Sequence, residues 1–230
     1  MYQQAPAFVT YRVATHVSAK SLDRERDVVR SVMVRTSDDT AVLQDLPQGK
    51  NQISHAFPIV PTFDALSYFT LSWKVGAHTE VTAYVHDVVP MTYKDPTPNT
   101  DTDVVVTRLR SYKADYAPDS SDAPDGRTHL TLTPFEFVKE KNNADTTFYL
   151  ADLFIDNASG LPARVRYDGS DEKEFVVDYG RIQGHWVVTH AHYEETLHGP
   201  LRVGRVHVSA DAVYDNFTFP AAAPDPRLAG

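Results

Sequence analysis

Five of the ten histidines fall between positions 185 and 207, and His190, His192 and Glu194 follow one another at every second residue. On a strand such residues share a face, and two imidazoles with a carboxylate form a donor set that suits zinc or iron. The competing reading is a polar outer face whose imidazoles are solvated or hydrogen-bonded to their neighbours. It needs no third ligand, and it is the reading adopted here. Arg164 and Arg166 also alternate outward, beside an apolar run. Guanidinium groups so placed could hold a carboxylate or phosphate head at a rim, although plain surface arginines fit equally well. Asp152 with Asp156, and Glu194 with Glu195, are carboxylate pairs of the kind a glycosidase would need converging in a cleft. Solvated faces account for them more simply.

Other chemistries are missing. The chain has no cysteine, so thiolate nucleophiles, thiolate metal sites and disulfides are all excluded. No G-x-S-x-G, P-loop or G-x-G-x-x-G occurs. Gly184 followed after five residues by His190-Ala191-His192 resembles the opening of the cupin signature. Glu195 then comes too early, Arg202 stands where the closing glycine belongs, and Asp211 replaces the asparagine of the second half, so that pattern is not met. No cofactor is expected, and the chain does not read as an enzyme.

The elements that position these residues are strands. Val9, Tyr11, Val13 and Val17 alternate with Thr10, Arg12, Ala14 and His16, which marks a half-buried strand over 8–18. Residues 20–27 read as a charged hairpin connection, 28–36 as the returning strand and 41–43 as a short third one. Pro47, Pro58 and Pro61 then punctuate a segment in which Phe57, Phe63, Leu66 and Tyr68 are the bulky apolar residues. Thr62 could cap a short helix over 62–68, and residues 57–68 are the expected lid. Strands follow at 69–75, 79–89, 104–112, 129–138 and 148–155, with loops at 90–102 and 116–126. From 161 onward short runs alternate with tight turns at 156–160, 168–170 and 180, which requires an antiparallel meander. One domain over 1–219 and a disordered Pro/Ala tail over 220–230 complete the expected organisation.

Composition narrows the function classes. With 230 residues and a hydrophobic fraction of 42%, the chain can bury a sizeable core. A net charge of -9 repels phosphate backbones and anionic membrane surfaces, which speaks against nucleic-acid binding. No apolar run is long enough for a spanning helix. The polar start Tyr2-Gln3-Gln4-Ala5-Pro6 reads as a mature N-terminus from which an export signal has been removed, with a cytosolic protein as the alternative.

Between 148 and 219 the order of features is more specific. Ile155-Asp156, a turn, Gly160-Leu161-Pro162-Ala163-Arg164-Val165, then Asp178-Tyr179, Gly184-His185-Trp186 and a final Tyr214-Asp215-Asn216-Phe217 resemble the outer-membrane lipoprotein-sorting carriers of the LolA/LolB type. The resemblance implies an all-β fold: a strongly curved antiparallel sheet or unclosed barrel with short helices over its mouth. It also implies an apolar cavity that takes a lipid or acyl chain in the periplasm or another extracytoplasmic space, as a monomer, with envelope proteins or lipoproteins as further partners. Trp73, Phe154, Tyr167, Phe175, Tyr179 and Trp186 are the expected lining, with Arg164 and Arg166 at the rim. A metal-binding sheet using His190, His192 and Glu194, or an interaction scaffold with a filled core, are the alternatives.

Overall fold

The computed structural model describes residues 6–19, 22–37, 40–45, 70–72, 84–94, 103–117, 126–134, 148–169, 172–198 and 204–229. Twelve strands make up almost all of them. They are β1 (Phe8–Ala19), β2 (Arg24–Arg35), β3 (Thr40–Asp45), β4 (Thr70–Ser72), β5 (Tyr84–Lys94) and β6 (Asp103–Tyr116). The rest are β7 (Arg127–Pro134), β8 (Phe148–Asp156), β9 (Leu161–Gly169), β10 (Lys173–Ile182), β11 (His185–His198) and β12 (Arg205–Thr218). Among the described residues there is no α-helix. The expected lid residues Phe57, Phe63, Leu66 and Tyr68, and with them Trp73, lie outside the described residues.

All strands form one antiparallel sheet in the order β3-β2-β1-β12-β11-β10-β9-β8-β7-β6-β5-β4. The sheet is thus an unclosed meander in two parts. Strands β4 to β12 follow chain order, and the hairpin-linked β3-β2-β1 joins them through β1 against β12, with Val13 opposite Tyr214. Among the described strands this junction is the one neighbouring pair that is far apart in sequence. Register shifts on the β1–β12, β10–β11 and β8–β9 pairs are β-bulges, which bend the strands and curve the sheet. Asn216 takes a positive φ of 56° where β12 carries one residue more than β1.

The period-two pattern explains which face is buried. Val9 and Tyr11 of β1 join Val32 and Val34 of β2, Tyr214 of β12, Val177 and Tyr179 of β10, Val165 of β9, Leu150 and Leu153 of β8 and Leu130 of β7 in one apolar cluster. Burying a side chain of this size contributes roughly 1.5–3 kcal/mol, so this face drives the folding. Tyr112 is wholly buried as well, and its hydroxyl accepts from the Leu150 N–H across β7 at 3.1 Å. The opposite face carries most of the charged residues.

Several boundaries depart from the sequence reading. Strand β2 begins at Arg24, inside the expected charged connection, because an exposed hairpin end tolerates charge and extends the ladder to Ala19 opposite Arg24. Strand β5 runs through Pro90, opposite Thr107, where a loop was expected. Its other neighbour, β4, pairs only with residues 84–86, so proline's missing N–H removes no described bond on that side. The expected disordered tail is packed instead. Pro226–Leu228 forms a 3-10 turn capped by Asp225, Leu228 is buried, and its carbonyl accepts from Arg35 Nη1 at 2.9 Å. One apolar anchor and prolines that are already bent are enough to hold it down.

Candidate functional site

The polar face is built by register. Across the strands, Asp27, His16, Asp211 and His192 stand opposite one another in turn from β2 to β11. The next positions, Val176, Arg166, Asp152, Thr131 and Asp115, continue the row to β6. A neighbouring row contains His190, Asp178, Arg164, Phe154 and His129. Each cation therefore finds an acid one strand away.

Arg164 forks onto Asp178, with Nε 2.5 Å from Oδ1 and Nη2 3.1 Å from Oδ2. Arg166 donates from Nε to Asp152 Oδ2 at 2.6 Å and from Nη1 to Asp168 at 2.6 Å and Glu174 at 3.3 Å. Both arginines keep the outward direction read from the alternation. They are, however, paired with their own sheet and lie on the face opposite the core. A bidentate fork of this kind is among the stronger ion pairs. Burial works against the charge on Asp178, but the bonds from Arg164 and His190 outweigh it and hold its carboxyl below the usual range. At Asp168 burial prevails over Arg166 and pushes the carboxyl up.

Asp152 anchors the other end. Its side chain is only 9% exposed, and it takes Arg166 from β9 on one oxygen and His129 Nε2 from β7 on the other, at 2.7 Å. The His129 ring stacks on Phe154 with centroids 4.1 Å apart and planes at 10°. Phe154 thus sits on the polar face, not among the expected lining residues. The β-bulge between Leu150 and Asp152 is the cause: it inserts a residue and reverses the alternation within β8, so that Leu153 takes the inward position.

His190 and His192 do share a face, with Glu194 two residues on, but they do not form a metal-ligand set. His192 bonds Asp211 through Nδ1 at 2.6 Å and lies 3.1 Å from Glu194 through Nε2. His190 reaches Asp178 at 3.2 Å through Nδ1 and lies 3.5 Å from Asp211 through Nε2. The ring nitrogens point at carboxylates, so no lone pairs converge on one point. Among the described residues no group of three or more such side chains could hold a metal ion.

The other expected lining residues that are described, Tyr167, Phe175, Tyr179 and Trp186, lie on the apolar face. Tyr179 and Trp186 are buried in the core cluster, and Trp186 Nε1 donates to the Pro162 carbonyl at 2.6 Å. Tyr167 and Phe175 stack at 6.0 Å beside that cluster and are only partly buried. Next to them is a pair that the sequence reading missed. Lys173, its side chain 6% exposed, lies 3.0 Å from Glu195, which also accepts the Tyr193 hydroxyl at 2.7 Å. Burial and the adjacent carboxylate push the Tyr193 phenol up. The clue was available: Lys173 has the same parity as Phe175 and Val177.

No protein-family model matches the chain, and no curated protein matches it. Among solved structures, it is similar to a crystal structure of a DUF1329 family protein from Desulfovibrio piger, with a TM-score of 0.46 and 10% identity over 98% of this chain and 90% of that one.

Proposed function

We propose that this protein binds a hydrophobic or lipid-like ligand, without catalysing a reaction, and works in the cell envelope as a carrier of the lipoprotein-sorting type. The observation that supports this best is the Tyr167–Phe175 pair. It extends the buried cluster with a stacked aromatic surface that the core packs against and leaves only partly buried. An acyl chain laid along such a surface gains roughly 0.8 kcal/mol for each CH₂ it buries. Binding then requires an apolar wall and no reactive group. The resemblance of residues 148–219 to the LolA/LolB-type carriers points the same way. Paired arginines on the outer face, by contrast, give little support to a headgroup role for Arg164 and Arg166.

Native mass spectrometry with lipid extraction, together with thermal shift against fatty acids and lipopeptides, tests the reading. Co-purifying lipid and a rise in Tm are expected, and Phe175→Ala should weaken binding by about tenfold, as the loss of roughly half a ring's burial implies. No lipid and no shift with any acyl compound would leave a scaffold with a filled core.

A further inference from the structure

The polar row from β2 to β11 has one property that simple pairing does not exhaust. Asp27 Oδ1 holds His16 Nδ1 at 2.8 Å, and His16 stands opposite Asp211 in the β1–β12 register. Asp211 Oδ1 in turn takes His192 Nδ1 at 2.6 Å, His192 Nε2 lies 3.1 Å from Glu194 Oε1, and Glu194 Oε2 lies 3.9 Å from His207 Nε2. An ionised carboxylate only accepts hydrogen bonds. His192 can therefore satisfy Asp211 and Glu194 together only as an imidazolium that donates from both nitrogens. The neutral ring would turn a lone pair toward one of them.

We propose that His192 is a proton-operated clasp on the seam between β11 and β12. When it is protonated it ties Asp211 to Glu194 across β11 and β12. When it loses the proton, Asp211 and Glu194 face each other with no cation between them. His190, 3.5 Å from Asp211, and His207, 3.9 Å from Glu194, flank them only with further imidazoles, which carry no fixed charge, and the seam loosens. Asp211 also stands opposite His16 of β1, so the clasp lies one strand away from the junction where the N-terminal three strands join the meander.

The charges around the ring support that outcome. From β10, Val176 stands opposite His192, flanked by Asp178 and Glu174. The β9 guanidiniums are already committed, Arg164 to Asp178 and Arg166 to Asp152, Asp168 and Glu174. From β12 come Asp211 and, two and three rows further along, His207 and Arg205. Strand β1 contributes His16, and β2 contributes Asp27 and Glu25. Within the row from Asp27 to His192 every cation is an imidazole. Partial burial works against the charge on His192, but the bonds to Asp211 and Glu194 and their attraction outweigh it and lift the ring above its ordinary value. The bond to Asp27 lifts His16 likewise.

Amide hydrogen exchange on the whole chain, corrected for intrinsic base catalysis, reads the seam directly. Between about pH 5.5 and pH 8.5, protection of residues 191–196 and 210–213 should fall by about tenfold or more, the factor that the loss of one charge-assisted hydrogen bond implies. His192→Gln should start at the low level and lose most of the pH dependence. Unchanged wild-type protection, or a variant with the wild-type response, overturns the proposal. Should the variant fail to fold, the His192 ring itself decides by NMR titration of the wild type. A midpoint above about 6.5 is expected, and one at or below it rejects the clasp.

Discussion

Asp152 shows how much one side chain can carry on a sheet face. It is buried, its two oxygens are divided between His129 of β7 and Arg166 of β9, and it therefore spans three strands. Removing a partner from a buried pair costs more than the pair contributes, because the remaining charge is left uncompensated. Here Arg166 is part-exposed and keeps Asp168 and Glu174, which lowers the cost. Asp152→Ala should destabilise the fold by about 2–3 kcal/mol, read from urea denaturation. A change no larger than that of an ordinary surface substitution would mean that the cluster is solvated and idle.

At the scale of elements, the hairpin joining β10 to β11 turns on two residues. Gln183 and Gly184 have φ of 51° and 87°, the pair of positive values that a two-residue type I′ turn requires. An added Cβ at Gly184 would touch nothing within 4 Å, so an alanine there suffers from backbone conformation alone. Gly184→Ala should cost about 1–2 kcal/mol with no change in the sheet's circular dichroism. Stability equal to the wild type would show that the turn relaxes into another type. The turn sets the register of residues 185–188 against β10, and the bulge before His190 then shifts it by one residue, which puts His190 and His192 on the face opposite Trp186.

For the molecule as a whole, the two kinds of shifted group predict a dome of stability against pH. His16 and His192 have raised values in the folded state. Their contribution is complete below the unfolded histidine value and is lost as pH rises through the folded one. Asp178 is depressed, so its contribution is present above the unfolded carboxylate value and is lost as pH falls through the folded one. Asp168, raised by burial, works in the opposite direction and blunts the acid limb. The maximum should lie between about pH 4 and pH 6.5. Chemical denaturation across that range checks it, and a maximum on the alkaline side would refute the assignment of the histidines.

Alternation of side chains told most of the fold in advance, because period two is a property of the strand backbone and needs no partner. It gave the antiparallel meander of the C-terminal half, the inward direction of Tyr167, Phe175 and Tyr179, and the shared face of His190, His192 and Glu194. It failed where a single inserted residue reverses parity, and so Phe154 was assigned to the wrong side. Lys173 is a different case: its charge predicts the surface, and only its pairing with Glu195 accounts for its burial.

Local pattern alone determined that this chain makes strands with one apolar and one charged side. Only the tertiary structure decided which strands meet: β1 lies against β12, and Asp211 lies between His16 and His192. The physical reason is range. A residue's own backbone sets the direction of its side chain, whereas the partner across the ladder is chosen by the bulges, turns and burial of the entire sheet.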